Sequence, residues 1–148
     1  MEAQTRKHMQ QVSKYINLLS CELLKRAIKH DSSKLEEPEA SLFEKLTPKL
    51  KDSTYGSEDY NKLLEELKPA LDHHYANNRH HPEYHKEGIR GMTLIDLVEF
   101  ISDCKAASER HSNGDIFKSI EINQKRFGYS DELKQIFINT INELIKIA

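Results

Sequence analysis

Apolar and polar residues alternate with a helical period almost from one end of the chain to the other. Between about positions 5 and 29, Val12, Ile16, Leu19, Leu23 and Ala27 recur at spacings of three and four, which aligns them on one helix face. No Gly or Pro interrupts that stretch, so it accommodates either one long helix or two joined near positions 17–20. The distinction matters for two residues. In one straight helix His8 and His30 lie ~33 Å apart at ~1.5 Å rise per residue, whereas a chain reversal lets them meet. Pro38, at a favoured first-turn position, predicts a short helix over 39–46 that Thr47-Pro48 ends. Residues 51–58 read as a loop.

Ser57 predicts the cap of a helix carrying Leu63, Leu64, Leu67, Ala70 and Leu71, kinked at Pro69. Thr93 and Asp96 form a capping-box-like start for a helix through Leu94, Leu97, Val98, Ile101 and Cys104, stopped by Asn113-Gly114. A further helix over 115–126 ends at Gly128, and Ser130 caps a last one through Ile136, Ile141, Leu144 and Ile145. No segment keeps a period of two long enough to form a strand, and there are no internal repeats. The pattern predicts an all-α single-domain bundle of five to seven helices over 1–148.

Composition narrows the class. A chain of 148 residues with 37% hydrophobic and 31% charged residues supports one modest core under a heavily solvated surface. Five Gly, four Pro and no Trp leave little material for a turn-rich β fold. No run approaches the ~18 apolar residues that a membrane span needs. The first ten residues have no signal-peptide apolar region, and Cys21 and Cys104 form no metal-type pair, which together imply a cytoplasmic protein with reduced thiols. The net charge is −2, with basic and acidic residues interleaved, so the basic stripe of a nucleic-acid binder is missing. A local pocket of two or three cations would still hold a small anionic substrate. Oligomeric state, including a homo-oligomer, is left open.

Three features carry chemistry. Five of the eight histidines fall in one short stretch: His73, His74, His80, His81 and His85. Neutral imidazole is the commonest metal-binding side chain near pH 7, and two adjacent His-His pairs are hard to justify by packing. The bland alternative is a solvated polar loop. Adjacent residues on a helix point ~100° apart, so one member of each pair is expected to serve the site and its neighbour to support it. Second, His30-Asp31 closes a helical pattern and offers a nitrogen and a carboxylate from consecutive residues, although either alone suits a helix end or a turn. Third, Asp103 sits on the most apolar helix, where a buried charge needs a partner. Its alternative is an exposed place on a polar face with Asp96 and Glu99.

The order His8, His30-Asp31, His73-His74, His80-His81 and Asp103 resembles the signature of the HD-domain superfamily of metal-dependent phosphohydrolases. The segment His30-Asp31-Ser32-Ser33-Lys34 is similar to the His-Asp-x-Gly-Lys of dinuclear members. Almost the whole chain resembles an uncharacterised family of short bacterial and phage proteins, through His-Asp-Ser-Ser-Lys-Leu-Glu-Glu-Pro-Glu, Thr-Tyr-Gly-Ser, Asn-Asn-Arg-His-His-Pro-Glu and Leu-Ile-Asp-Leu-Val-Glu. The interval from His8 to His30 is short for an HD enzyme and requires the early reversal. The two His-His pairs are also closer together than that superfamily usually has them.

The HD resemblance implies that His8, His30, Asp31 and Asp103 hold one divalent ion, with Asp31 able to bridge to a second. His74, His80 and His81 would ligate that second ion, or protonate a leaving group if only one is bound. The ion would be Mn, Fe, Mg, Zn, Co or Ni, and the substrate a nucleotide or other small phosphate ester. Metal-activated water would attack phosphorus while cations stabilise the growing charge. Lys34 is the first candidate for that role, then Arg79, Lys105 and Arg110. Two other readings share the ligands: an HD-fold di-iron oxygenase, and a non-enzymatic interaction module that keeps a metal for structure.

Overall fold

A computed structural model describes residues 1–52, 57–110 and 113–147, apart from the side chain of Lys51. Of the expected loop at 51–58, positions 53–56 lie outside them, including Thr54, Tyr55 and Gly56 of the Thr-Tyr-Gly-Ser motif, whereas 51–52 and 58 are helical. All regular secondary structure among the described residues is helical, with no strand. Six α-helices run α1 (Glu2–Lys29), α2 (Glu39–Asp52), α3 (Glu58–Asn77), α4 (Leu94–Ser108), α5 (Ile116–Phe127) and α6 (Asp131–Ile147). Short 3-10 turns cover Ser32–Leu35, Pro82–Tyr84 and Gly88–Gly91. Among the described residues no helix is long and apolar enough to cross a membrane. The chain divides into two compact units, 1–30 with 93–148, and 31–92.

In the first unit α1 is a single unbroken helix, which decides between the two readings of its apolar pattern. With neither Gly nor Pro to stop it, propagation costs little once a helix has begun. None of its residues is fully buried, and Val12, Ile16 and Leu19 stay largely exposed. Its C-terminal part meets α4, where Leu23, Ala27, Val98 and Ala106 help to line an apolar cavity. Phe100, Ile101, Ile116, Ile120, Phe137 and Ile141 form the core of this unit, and Phe100 packs edge-on against Phe127. Tyr129 is buried against Phe137 and donates its hydroxyl to the Ile120 carbonyl. Burial, with a smaller effect of Cys104, pushes the Tyr129 phenol up to about 12.

The helix ends follow their side chains. Thr93 and Asp96 close a reciprocal capping box at α4. The Asp115 carboxylate accepts from the backbone of Phe117 and Lys118, which makes it the cap of α5 and not its first residue. Gly128 ends α5 with φ 67°, a left-handed conformation that costs glycine nothing.

In the second unit α2 packs on α3. Leu46, Leu67 and Ala70 are buried, with Leu42, Phe43, Leu50, Leu63 and Leu71 around them. Here the sequence expectation needs correcting, because Pro48 lies inside α2 and does not end it. A proline removes one backbone donor and crowds the preceding turn. Continuing the helix places Leu50 on the same stripe as Leu42 and Leu46, against α3, and that burial offsets the loss. As expected, α3 runs on past Pro69, and it reaches Asn77, which puts His73 and His74 on a helix and leaves His80 and His81 in the turn that follows.

Candidate metal centre

The site in the second unit starts with Asp31, which enters the Ser32–Leu35 turn with φ 55° and ψ 17°. Left-handed backbone costs most L-residues about 1–2 kcal/mol, and Asp and Asn tolerate it best. Held there, Asp31 presents its two oxygens in different directions. Oδ2 accepts from the Lys34 ammonium at 2.5 Å. Oδ1 lies 3.4 Å from His74 Nε2 and 3.5 Å from His80 Nε2.

His74 reaches the cluster from the last turn of α3, and its Nε2 stands 2.9 Å from His81 Nε2. Asn78 follows α3 and secures its end. Its backbone N–H and its side-chain amide both donate to the His74 carbonyl, and the amide also donates to Ser33 Oγ at 2.7 Å. The chain then turns so that the His81 N–H reaches the Asn78 carbonyl. Pro82 disfavours helix at the residue before it, which leaves His81 extended (φ −89°, ψ 130°). His80 is almost wholly buried and stacks beside His81, their ring centroids 4.1 Å apart.

One ligand atom each from Asp31, His74, His80 and His81 lies within 4.8 Å of all the others. Donors ~2.1 Å from a shared ion stand ~3.0 Å apart at a right angle and ~3.4 Å apart at the tetrahedral angle. The separations of 2.9, 3.4 and 3.5 Å match that pattern. These residues could hold a metal ion.

Glu39 supports the cluster from the first turn of α2. It is fully buried, with Oε1 2.7 Å from His73 Nδ1 and Oε2 2.8 Å from His74 Nδ1. Burial alone would raise its pKa, but hydrogen bonds from His73, Ser33 and His74 outweigh that and hold the carboxyl below its ordinary value.

The remaining sequence candidates of this unit make contacts of their own. His73 turns to Glu39. The second His-His pair departs from the one-per-pair expectation, since both His80 and His81 face the cluster. Backbone direction changes sharply in the turn, and the helical ~100° offset no longer applies there. His85 bonds the Arg79 carbonyl, and the Arg79 guanidinium lies over the Tyr84 ring.

The boundary between the units falls between His30 and Asp31. In the first unit His30 caps the end of α1, with Nδ1 3.0 Å from Glu99 and Nε2 3.7 Å from Asp103. Arg26 bridges Asp96 and Glu99, each at 2.8 Å. The face of α4 that carries Asp96 and Glu99 is therefore not a solvated one, and Asp96 is fully buried. Burial, then the charge of Asp103, pushes the Cys104 thiol up to about 12, and both cysteines are free. Lys105 pairs with Glu109 and lines a different hollow from Asp103. Arg110 is exposed in the turn after α4.

His8 requires a correction. It is exposed on the unbroken α1, and the helix rise separates it from His30 by ~33 Å. It cannot share an ion with His30.

Sequence reasoning missed Glu39, Ser33, Asn78 and Glu99 as supporting residues. For Glu99 a signal existed: Asp96, Glu99 and Asp103 recur at spacings of three and four, one face of a helix otherwise rich in apolar residues. Glu39 carries no comparable mark beyond its place in the first turn after Pro38.

The architecture and the cluster define an all-helical protein with a histidine-rich, carboxylate-containing group suited to a metal ion. The chain belongs to a family of unknown function, DUF5662, whose model matches residues 1–147. No curated protein and no solved structure matches it.

The conformation of Asp31 gives a direct test. Asp31→Asn and Asp31→Ala both remove the charge, but only Asn suits left-handed backbone. The Ala variant is expected to be less stable than the Asn variant by ~1 kcal/mol in urea denaturation. Equal stabilities would show that the left-handed geometry carries no cost.

Proposed function

We propose that this chain is a metal-dependent phosphohydrolase acting on a nucleotide or another small phosphate ester, with its metal centre at Asp31, His74, His80 and His81. The observation that carries the metal is the convergence of three imidazole nitrogens and one carboxylate oxygen within 4.8 Å. The reaction class rests on the resemblance of His30-Asp31-Ser32-Ser33-Lys34 to dinuclear HD hydrolases.

A nitrogen-rich donor set favours a first-row transition metal over magnesium or calcium. Such an ion supplies Lewis acidity and an acidified water for attack on phosphorus. Four protein ligands complete a tetrahedral ion but leave two places open on a six-coordinate one. Catalysis at this set would therefore call for an ion that takes six ligands, such as Mn²⁺ or Fe²⁺, whereas a tetrahedral Zn²⁺ would be closed and structural. The chain's own residues do the rest. Asp31 offers one oxygen to the cluster and holds the Lys34 ammonium with the other. That places a cation next to the centre, where it can offset the negative charge growing on phosphoryl oxygens.

The test is to load purified protein with Mn²⁺, Fe²⁺ or Zn²⁺ and follow phosphate release from nucleotides and simple phosphate esters beside oxygen consumption. Phosphate release with Mn²⁺ or Fe²⁺, abolished by a chelator, is the expected result. Oxygen uptake without phosphate release overturns the hydrolase reading in favour of an oxygenase. Tight Zn²⁺ binding with no activity under any metal points to the structural role.

A further inference from the structure

We infer that Glu39 is a positioning residue that fixes the tautomer and orientation of His74, so that His74 Nε2 presents a lone pair to the cluster; the metal-binding consequence rests on the function proposed above. Glu39 is wholly buried, and each of its oxygens meets one imidazole Nδ1, that of His73 at 2.7 Å and that of His74 at 2.8 Å. An ionised carboxylate only accepts hydrogen bonds, so both contacts require a proton on Nδ1.

The other groups near His74 Nδ1 do not compete for it. Asn78 Nδ2 lies 3.1 Å away, but its two hydrogens are directed to Ser33 Oγ at 2.7 Å and to the His74 carbonyl at 2.8 Å. Ser33 Oγ itself is at 3.5 Å, the outer limit of a hydrogen bond. Glu39 is thus the acceptor for the Nδ1 proton. A neutral imidazole that carries its proton on Nδ1 has a bare Nε2. That Nε2 faces His81 Nε2 at 2.9 Å and Asp31 Oδ1 at 3.4 Å. A carboxylate behind a ligating histidine also raises its basicity, and losing such a partner typically costs about 10–100-fold in metal affinity.

The sharing of Glu39 between two histidines separates this role from simple packing. Glutamine at position 39 keeps the shape but offers one acceptor oxygen and one NH₂ donor, which cannot serve two Nδ1–H groups together. Removing His73 leaves the Glu39–His74 contact intact.

The test has two arms. Long-range ¹H–¹⁵N correlation on the metal-free wild-type chain reads the tautomer of His74, and titration with Mn²⁺ reads affinity in wild type, Glu39→Gln, Glu39→Asp and His73→Ala. The expected results are an Nδ1–H tautomer in wild type and a ~10–100-fold loss of affinity in Glu39→Gln. Glu39→Asp, which keeps the charge, recovers part of that loss, and His73→Ala stays within about threefold of wild type. An Nε2–H tautomer in wild type, or a Glu39→Gln variant that binds Mn²⁺ as wild type does, overturns the inference. If the wild-type chain binds no metal, the metal reading falls. The tautomer of the wild-type chain then still decides the role of Glu39, as it does if the Gln variant fails to fold.

Discussion

Replacing His74 by alanine is expected to abolish stoichiometric metal binding, with a loss larger than the roughly 10–100-fold that an outer partner such as Glu39 commands. The reason is position. Nε2 of His74 lies 2.9 Å from His81 Nε2 and 3.4 Å from Asp31 Oδ1, and the residue itself is buried. Its removal takes away one of four donors and leaves the buried Glu39 with one histidine fewer.

Thermal unfolding with and without metal gives the readout. A ligand that binds only the folded state stabilises it by ~2.7 kcal/mol at a hundred times its dissociation constant. The wild-type melting temperature should therefore rise with Mn²⁺ while that of the variant stays fixed. His85→Ala is the control, because His85 bonds the Arg79 carbonyl and is not one of the four converging residues. A His74→Ala chain whose melting temperature responds to Mn²⁺ like wild type would remove the proposed centre. Equal losses in His74→Ala and His85→Ala would mean that metal binds the histidine tract without a defined site.

How much of this was legible follows from what each signal measures. Apolar periodicity reports which face a helix buries, and it located the six α-helices of the described residues, with the caps at Ser57, Thr93 and Gly128 read from residue type alone. The end of α2 was misplaced by Thr47-Pro48, since Pro48 weighs on local backbone energy while Leu50 packs against another helix, and the sequence displays only the first. The histidine cluster was conspicuous because imidazoles seldom gather for packing reasons. That His80 and His81 both turn to the same place depended on a non-helical turn before Pro82, which no period describes. Glu39 and Glu99 were hidden for another reason. A buried glutamate and a solvated one look alike in sequence, and the difference lies in partners tens of residues away, His73 and His74 for one, Arg26 and His30 for the other. His8 was matched by its order along the chain to a family pattern, and order carries no information on whether a helix reverses.

The second large effect concerns Arg26, which pairs with Asp96 and Glu99 on the acidic face of α4. Asp96 is fully buried and serves twice: Oδ2 accepts from the backbone and hydroxyl of Thr93 in the capping box, and Oδ1 accepts from Arg26 at 2.8 Å. Burial alone would lower the Arg26 pKa, but hydrogen bonds and charge from Asp96 and Glu99 outweigh it and keep the guanidinium ionised. Removing one partner of a buried pair leaves an uncompensated charge, at a cost of about 3–5 kcal/mol. Arg26→Met keeps most of the side-chain volume and is expected to lose that much in urea denaturation, and on the order of 10 °C in melting temperature. Adding Asp96→Asn should restore part of the loss, because the amide oxygen still accepts from Thr93 and the fully buried charge at position 96 is gone, although Glu99 still lacks its Arg26 partner. Two outcomes would sink the argument. One is an Arg26→Met chain within ~1 kcal/mol of wild type, the range of an exposed ion pair. The other is a double variant less stable than Arg26→Met, which would mean that the Asp96 charge is stabilised by its cap and does not depend on Arg26.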